Sequence, residues 1–397
     1  MSRIKILFVK FLNLINFLIN AFLIKIIQFR KREIKKNSLL IIRLDSIGDY
    51  VLVQNFFNLI KLDSPYKDYK VTLCGNIIWK DLAEYCNKDA FEKFIWINKK
   101  KFKWNIPYKF RILKSVYQSG FEVAIETTFS REILFGDTII KASKAKERIG
   151  STGSPESYVK WKRNLFSDNY YTKLITQSEK NIFEFYRNKE FFEKLFHNKI
   201  ELAKPSLNFD DVEINLPTDK EFLVVVPGAQ EKARRWSEEN FTELIKHLLK
   251  EYHYDILLAG SSSEKSTIMK IIDGVNSGRV FDISGKTSLP QFGKIISLAK
   301  LLISNETSAV HFAAAVGTPF ICISNGKHLG RFNPYPEAMR LIFKYVYPQF
   351  VGENLNSLDK IEKQFNVESK LDINEILPAR VIQAVSDLLE RIDGRIN

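Results

Sequence analysis

Cysteine is scarce in this chain of 397 residues. The three present, Cys74, Cys86 and Cys322, have no metal-type spacing. That argues against a disulfide framework or a cysteine-built metal centre, and it fits a reducing, cytosolic setting. The five histidines are scattered, so no zinc cluster can be read. No Asp-x-Asp motif occurs anywhere. Internal repeats and low-complexity segments are missing too, which sets aside solenoid and disordered classes. Acidic residues are almost absent from the first 36 positions, where Glu33 stands against nine Lys and Arg. Of the net charge of +14, +8 therefore sits in that segment. The rest of the chain is only mildly basic, which argues against a broad nucleic-acid-binding face.

What is present is globular: 45% hydrophobic, 27% charged and 13% aromatic residues. The chain is too long for one ordinary core, so two domains are expected. Within residues 1–37, Lys10, Asn13, Asn16 and Asn20 recur at steps of three or four, as on one helix face, and Leu, Ile and Phe fill most of the rest. The pattern predicts a basic amphipathic helix lying in a membrane surface and favouring anionic lipid. Asparagines interrupt the apolar region and no small-residue cleavage site follows, against a secretory signal peptide. The uncharged run from Phe11 to Ile24 is shorter than the roughly 20 residues a span needs. Packing of the helix on the protein's own body is the alternative.

Residues 38–205 alternate strand-like and helix-like runs. Leu39–Leu44, Lys70–Cys74, Phe94–Ile97 and Phe121–Glu126 read as short buried strands, and the alternation predicts a parallel sheet. The basic and aromatic stretch from Lys99 to Lys114 reads as a solvated connection, with contact to phosphates or lipid headgroups as the other reading. Residues 173–200 read as one long amphipathic helix. Residues 206–220, polar and ending near Pro217, read as a linker. A second alternation fills 221–397, with strands at Phe222–Val226, Asp255–Ala259, Leu301–Ser304 and Phe320–Ile323, and a closing amphipathic helix.

Two strand-to-helix turns carry the candidate chemistry, because open parallel sheets bind ligands at strand carboxyl ends and helix amino ends. The first is Ile41-Ile42-Arg43-Leu44-Asp45-Ser46-Ile47-Gly48-Asp49. Gly48 permits close backbone approach. Asp49 is placed either as a general base for an acceptor hydroxyl or as a helix-start carboxylate favoured by the dipole. The second is Asn305-Glu306-Thr307-Ser308-Ala309-Val310-His311, which offers hydroxyls and helix-start amides to an anion, with His311 four residues after Thr307. Between them, Val226-Pro227-Gly228-Ala229 is followed by Lys232, Arg234 and Arg235, cations suited to a diphosphate. Gly260-Ser261-Ser262-Ser263-Glu264 offers hydrogen bonds to a ribose or base.

The chain resembles glycosyltransferase family 9, the ADP-heptose:lipopolysaccharide heptosyltransferases, over roughly residues 38–340. Four blocks carry the resemblance in order: Ile41–Asp49; Val226–Ala229 with Arg234–Phe241; Leu257–Gly260 with Glu264; and Ser284–Leu289 running on to Asn305–Pro319. The resemblance implies an α/β, GT-B architecture of two Rossmann-like, doubly wound parallel-sheet domains facing a cleft. The first domain would bind the acceptor and the second the nucleotide sugar. It implies an inverting, metal-independent transfer with no cofactor. Asp49 matches the catalytic carboxylate. Gly228, Arg234, Gly260, Glu264, Glu306, Thr307, Ser308 and His311 fall on the donor side, and Ser46, Gly48 and Arg131 are assigned to the acceptor side. Glu306 stands in place of the usual Asp, Ser308 in place of a Gly, and Asp45 where a small residue is common.

The partners expected are therefore a nucleotide sugar such as ADP-heptose, a lipid-linked saccharide and a membrane surface, with no nucleic acid. The setting expected is the inner face of the bacterial cytoplasmic membrane. Two alternatives stand beside this reading. One is another nucleotide sugar used in O-antigen or capsule assembly; the other is a catalytically silent, membrane-bound binding protein of the same fold.

Overall fold

The computed structural model describes residues 3–29, 31–154, 157–357, 361, 364–365 and 368–394. Contacts divide the chain into two units, one of residues 1–180 with 186–201, the other of 181–185 with 202–397. Each is built on six strands, all parallel.

In the first unit, short apolar runs become strands: β1 (Ser38–Arg43), β2 (Lys70–Asn76), β3 (Lys93–Ile97), β4 (Val123–Glu126), β5 (Glu147–Ser151) and β6 (Lys173–Ile175). Their order across the sheet is β3-β2-β1-β4-β5-β6. The second unit repeats this with β7 (Phe222–Val226), β8 (Asp255–Leu258), β9 (Val280–Asp282), β10 (Leu301–Asn305), β11 (Phe320–Ile323) and β12 (Phe343–Val346), ordered β12-β11-β10-β7-β8-β9. Both are the doubly wound order, which reverses between the first and fourth strands of each unit. β1, β4, β7, β8, β10 and β11 are buried along their whole length. Burial on both faces explains why they read as continuous Val/Ile/Leu runs rather than alternating patterns. The core of the second unit lies between β7, β8, β10 and β11 and the helices Glu238–Glu251, Lys265–Val275 and Pro378–Ile392, through Phe241, Leu244, Ile268, Val381 and Leu388.

Two local expectations are corrected. Residues 173–200 are not one helix: β6 takes the first part, a polar break follows, and a helix runs only from Glu184 to Phe196. Lys99–Lys114 is not a loose connection but two helices, Lys99–Trp104 and Ile106–Ser119. Their starts are set by Asn98, which accepts from the Lys101 amide at 2.9 Å, and Asn105, which accepts from the Tyr108 amide at 2.9 Å. The stretch read as a linker has no helix or strand, yet it is docked on the second unit. Leu207 donates its amide to the Ala315 carbonyl at 3.0 Å, and Phe209 is buried against Phe312 and Gly293.

The N-terminal helix α1 (Arg3–Gln28) belongs to the first unit, where Leu23, Ile24 and Ile27 join the core. Asn16 and Asn20 of its polar stripe are buried against protein, while Lys10 is exposed. Asn16 donates to the Lys103 carbonyl at 2.7 Å and Gln28 to the Lys141 carbonyl at 2.9 Å. Just beyond, Arg32 donates to the Tyr117 and Lys144 carbonyls at 2.6 and 2.7 Å. These acceptors lie at the carboxyl ends of Lys99–Trp104, Ile106–Ser119 and Gly136–Ser143, where a helix leaves carbonyls without intrahelical partners. Asn16 thus caps the Lys99–Trp104 helix from another element, while Asn20 donates to the Thr138 hydroxyl at 2.9 Å.

An added methyl group tests the docking of the 206–220 segment. A Cβ at Gly293 would lie 2.2 Å from Phe209 Cε2. Gly293→Ala is expected to lower the unfolding free energy of the second unit by about 1–3 kcal/mol. Urea denaturation measures it; an unchanged midpoint would show that Phe209 is free to move away.

Candidate functional site

The candidate residues sit where each sheet reverses. In the first unit, the chain leaves β1 at Arg43, passes Asp45 and enters the short helix α2 (Ile47–Val51). Ser46 is the N-cap and Asp49 the third helical residue, and the two form a capping box in which the Ser46 amide donates to Asp49 Oδ2 at 3.3 Å. The helix-start reading of Asp49 is therefore realised in the geometry. It does not bury the carboxylate, since Asp49 stays partly exposed and Ser46 is exposed. The loop backbone is fixed from one side. Asn76 donates to the Leu44 and Asp45 carbonyls at 3.2 and 3.0 Å, and the Trp79 indole to the Asp45 carbonyl at 3.1 Å.

Arg43 is buried beneath this turn. Its Nε lies 2.5 Å from Asp45 Oδ2, and its Nη1 donates to the Thr127 carbonyl at 3.0 Å and Asn188 Oδ1 at 3.1 Å. The acid at position 45, where a small residue is common in the resembling family, thus neutralises a buried arginine. Glu126 ends β4 beside this cluster. Burial pushes its carboxyl up to about 8, so it is mostly protonated at neutral pH. Arg131 lies elsewhere in the unit. Its guanidinium is buried against Asp168, 3.9 Å from Asp137 and over the Tyr171 ring. An acceptor would have to open this cluster to reach it, so the geometry assigns Arg131 to packing.

In the second unit the donor-side residues converge on the ends of β7, β10 and β8. Gly228 follows β7 and Gly260 follows β8, and Glu264 packs on both. A Cβ would meet Glu264 Oε1 at 1.8 Å from Gly228, and Oε2 at 3.1 Å from Gly260. Glu264 is itself held by the Ser261 amide and hydroxyl at 2.7 and 2.8 Å. Asn305, at the end of β10, is buried and donates to the Pro227 carbonyl at 2.7 Å while accepting from the Trp236 amide at 3.3 Å. It fixes both ends of the loop that carries Arg234.

Arg234 Nη1 lies 3.7 Å from Glu306 Oε1 and donates to the Glu306 carbonyl at 3.3 Å. Ser324 donates to Glu306 Oε2 at 2.6 Å. Burial raises the Glu306 carboxyl to about 7, against the opposing pull of Arg234 and the Ser324 hydrogen bond. Thr307 caps the helix Ser308–Val316, accepting from the Ala309 amide at 3.2 Å. One turn on, His311 is buried with Nδ1 2.8 Å from the Tyr335 hydroxyl. Burial lowers the imidazole to about 4, so His311 is neutral at pH 7. It can contribute a hydrogen bond to a diphosphate but no positive charge.

Of the residues the sequence assigns to the donor side, the structure brings Arg234, Glu306, Thr307 and Ser308 to one place, and Gly228, Gly260 and Glu264 together at another. Sequence reasoning missed Ser324, Lys327 and His328, on the loop after β11. Lys327 Nζ pairs with Glu231 at 2.7 Å, and His328 Nδ1 lies 4.0 Å from Glu306. The Ser324-Asn325-Gly326 turn directly after an apolar strand was the available signal. Among the described residues no cluster of His, Cys, Asp and Glu could hold a metal ion.

Residues 111–358 match the model of a family described as glycosyltransferase family 9 (heptosyltransferase). The chain is 24% identical over 296 residues to a protein of Haemophilus influenzae named putative glycosyltransferase, covering 71% of this chain and 81% of that one. It is 27% identical over 115 residues to lipopolysaccharide heptosyltransferase 2 of Salmonella typhimurium, which is 28% of this chain and only 33% of the relative's length. Among solved structures, an Escherichia coli heptosyltransferase with ADP-2-deoxy-2-fluoro heptose superposes with a TM-score of 0.65 at 16% identity, covering 88% of this chain and 99% of that one. At that identity the likeness establishes the fold, and it agrees with the GT-B expectation.

The Glu306–Arg234 pair is expected to make the binding of a nucleoside diphosphate pH-dependent. Glu306 ionises as pH rises through about 7. Below that pH the carboxyl is neutral and leaves the Arg234 charge to a diphosphate; above it, the carboxylate competes for Arg234 and repels the anion. ADP affinity is expected to fall about tenfold, equal to about 1.4 kcal/mol, across this transition. Glu306→Gln should keep the low-pH affinity throughout. Calorimetric titrations of both proteins across that range decide it, and the same slope in both would remove Glu306 from the site.

Proposed function

The chain belongs to glycosyltransferase family 9, and from that premise we propose that it transfers a heptose from ADP-heptose to a lipid-linked saccharide such as the lipopolysaccharide core. The transfer proceeds with inversion, at the inner face of the bacterial cytoplasmic membrane. The observation that carries the reading lies in the second unit. Arg234 and the Glu306-Thr307-Ser308 helix start stand at the ends of β7 and β10, adjacent strands at the point where the sheet reverses. A cation beside a helix N-terminus at such a switch point suits a nucleoside diphosphate.

The chemistry divides between the units. In the first, Asp49 takes the proton of the acceptor hydroxyl as that oxygen bonds to the anomeric carbon. The bond from that carbon to the diphosphate breaks on the opposite face, and its electron pair leaves with ADP. In the second, Arg234 and the helix start at Ser308 stabilise the charge that develops on the leaving diphosphate, with His311 contributing a neutral hydrogen bond. This assignment needs no metal ion, in keeping with a chain that has no Asp-x-Asp motif.

A second reading keeps the fold and chemistry but changes the sugar. It is favoured by Glu306 and Ser308, which put a longer carboxylate and an added side chain where the resembling family has Asp and Gly. A donor panel separates the two.

Asp49→Asn tests the base. Asparagine can still accept from the Ser46 amide, so the capping box and the fold should survive. The expected result is a fall in kcat of roughly 10²–10⁴-fold with ADP affinity unchanged, the scale of lost general-base catalysis. Steady-state turnover with an ADP-heptose donor measures it; wild-type turnover by the variant would end the assignment.

A further inference from the structure

The outward side of α1 is apolar, the reverse of an ordinary surface helix. Phe11, Leu14, Leu18 and Phe22 are 59%, 56%, 58% and 64% exposed, and they recur at helical spacing along one stripe. The opposite side holds the asparagines and the buried Leu23, Ile24 and Ile27. Two other stretches extend the apolar surface beside α1. Lys103, whose carbonyl receives Asn16, is followed by the exposed Trp104. Phe17 meets Phe166 edge-to-face at 5.5 Å, and the helix Ser157–Phe166 also exposes Trp161 and Leu165. Large apolar side chains from three separate segments are more than the scatter a soluble surface carries.

Charge identifies what covers this surface. α1 and the helices Lys99–Trp104, Ile106–Ser119 and Ser157–Phe166 contain no Asp or Glu, while each carries Lys or Arg. Two basic hollows lie in the same unit. One, of about 350 Å³, adjoins the end of α1 at Gln28 and is lined by Lys141, Lys144 and Arg148. The other, of about 450 Å³, is lined by Lys35, Arg111 and Lys114. A second copy of the same face would bring like charges together. An anionic bilayer meets both requirements, hydrocarbon for the apolar stripe and phosphates for the lysines.

We propose that this face docks the first unit on an anionic membrane, with α1 lying in the plane of the headgroup–acyl boundary. Trp104 and Trp161 anchor it at the depth where indoles concentrate. The helix lies along the surface rather than crossing because its hydrogen bonds to the unit run from Asn16 to Gln28, roughly 18 Å of helix at 1.5 Å per residue. A crossing helix would forfeit them. The inference rests on the proposed transfer only for its purpose, which is to bring the protein to a lipid-linked acceptor.

Vesicle flotation of the full chain tests it, using phosphatidylcholine vesicles with and without phosphatidylglycerol. The variant is Leu14→Asp with Leu18→Asp, two exposed positions whose change leaves the packed side of α1 intact. Wild-type protein is expected to float with the anionic vesicles, less so at high salt. The double variant is expected to lose at least about tenfold in bound fraction. Turnover on a soluble, lipid-free acceptor is measured in parallel and is expected to match in both proteins, which separates failure of docking from failure of the proposed transfer. Wild-type protein that stays in solution, or a variant that floats equally well, overturns the proposal. So does wild-type protein that ignores vesicles and forms a dimer which the double variant dissolves.

Discussion

Where the central strands of a doubly wound sheet part, backbone groups lose their ladder partners and must find others. In each unit a buried polar side chain helps to meet this constraint, joined in the first by Thr127, whose hydroxyl donates to the Ile42 carbonyl at 3.3 Å. Arg43, at the end of β1, donates to the Thr127 carbonyl just beyond β4. Asn305, at the end of β10, donates to the Pro227 carbonyl just beyond β7. Each side chain ties the two diverging strands together at the point where ligands bind in such sheets. The loops that carry the candidate site residues hang from these two links. Asn305 also receives the Trp236 amide, so the Arg234 loop is held at both ends. Losing a buried amide of this kind leaves several groups unsatisfied at once, at about 1–3 kcal/mol each.

Electrostatics at the two switch points follow from burial. Glu126 and Glu306 each lie at or directly after the carboxyl end of a fourth strand, and both are pushed towards the neutral acid. His311 is pushed towards the neutral base. In the second unit this leaves Arg234, Lys327 and the start of the Ser308–Val316 helix as the positive features near Glu306. A site whose carboxyl is raised to about 7 beside a permanent cation offers less repulsion to an anion than an ordinary carboxylate would.

Much of this was legible in the sequence. Short Val/Ile/Leu runs marked nearly all the central strands, and the motifs after them marked Asp49, Gly228, Arg234 and Glu306. Three things were not. The loop after β11 reaches Glu306 only through parallel pairing of β10 with β11, which sets Ser304 beside Cys322; no local pattern records that register. Arg131 carried the right charge for a saccharide or phosphate, but its burial with Asp137 and Asp168 depends on residues far along the chain. The asparagine stripe of α1 was correctly placed on one helix face, yet periodicity does not say which face turns outward. Here the polar face turns inward, where Asn16 meets the Lys103 carbonyl and the Lys109 ammonium, Asn20 the Thr138 hydroxyl and Gln28 the Lys141 carbonyl.

The central claim is that the second unit holds a nucleoside diphosphate at its switch point. Calorimetric titration of the purified protein with ADP, UDP, GDP and CMP, without added metal, tests it most directly. The account predicts selective binding of ADP. Preference for UDP or GDP would retain the site and overturn the heptose donor, and binding of none of the four would contradict the claim itself.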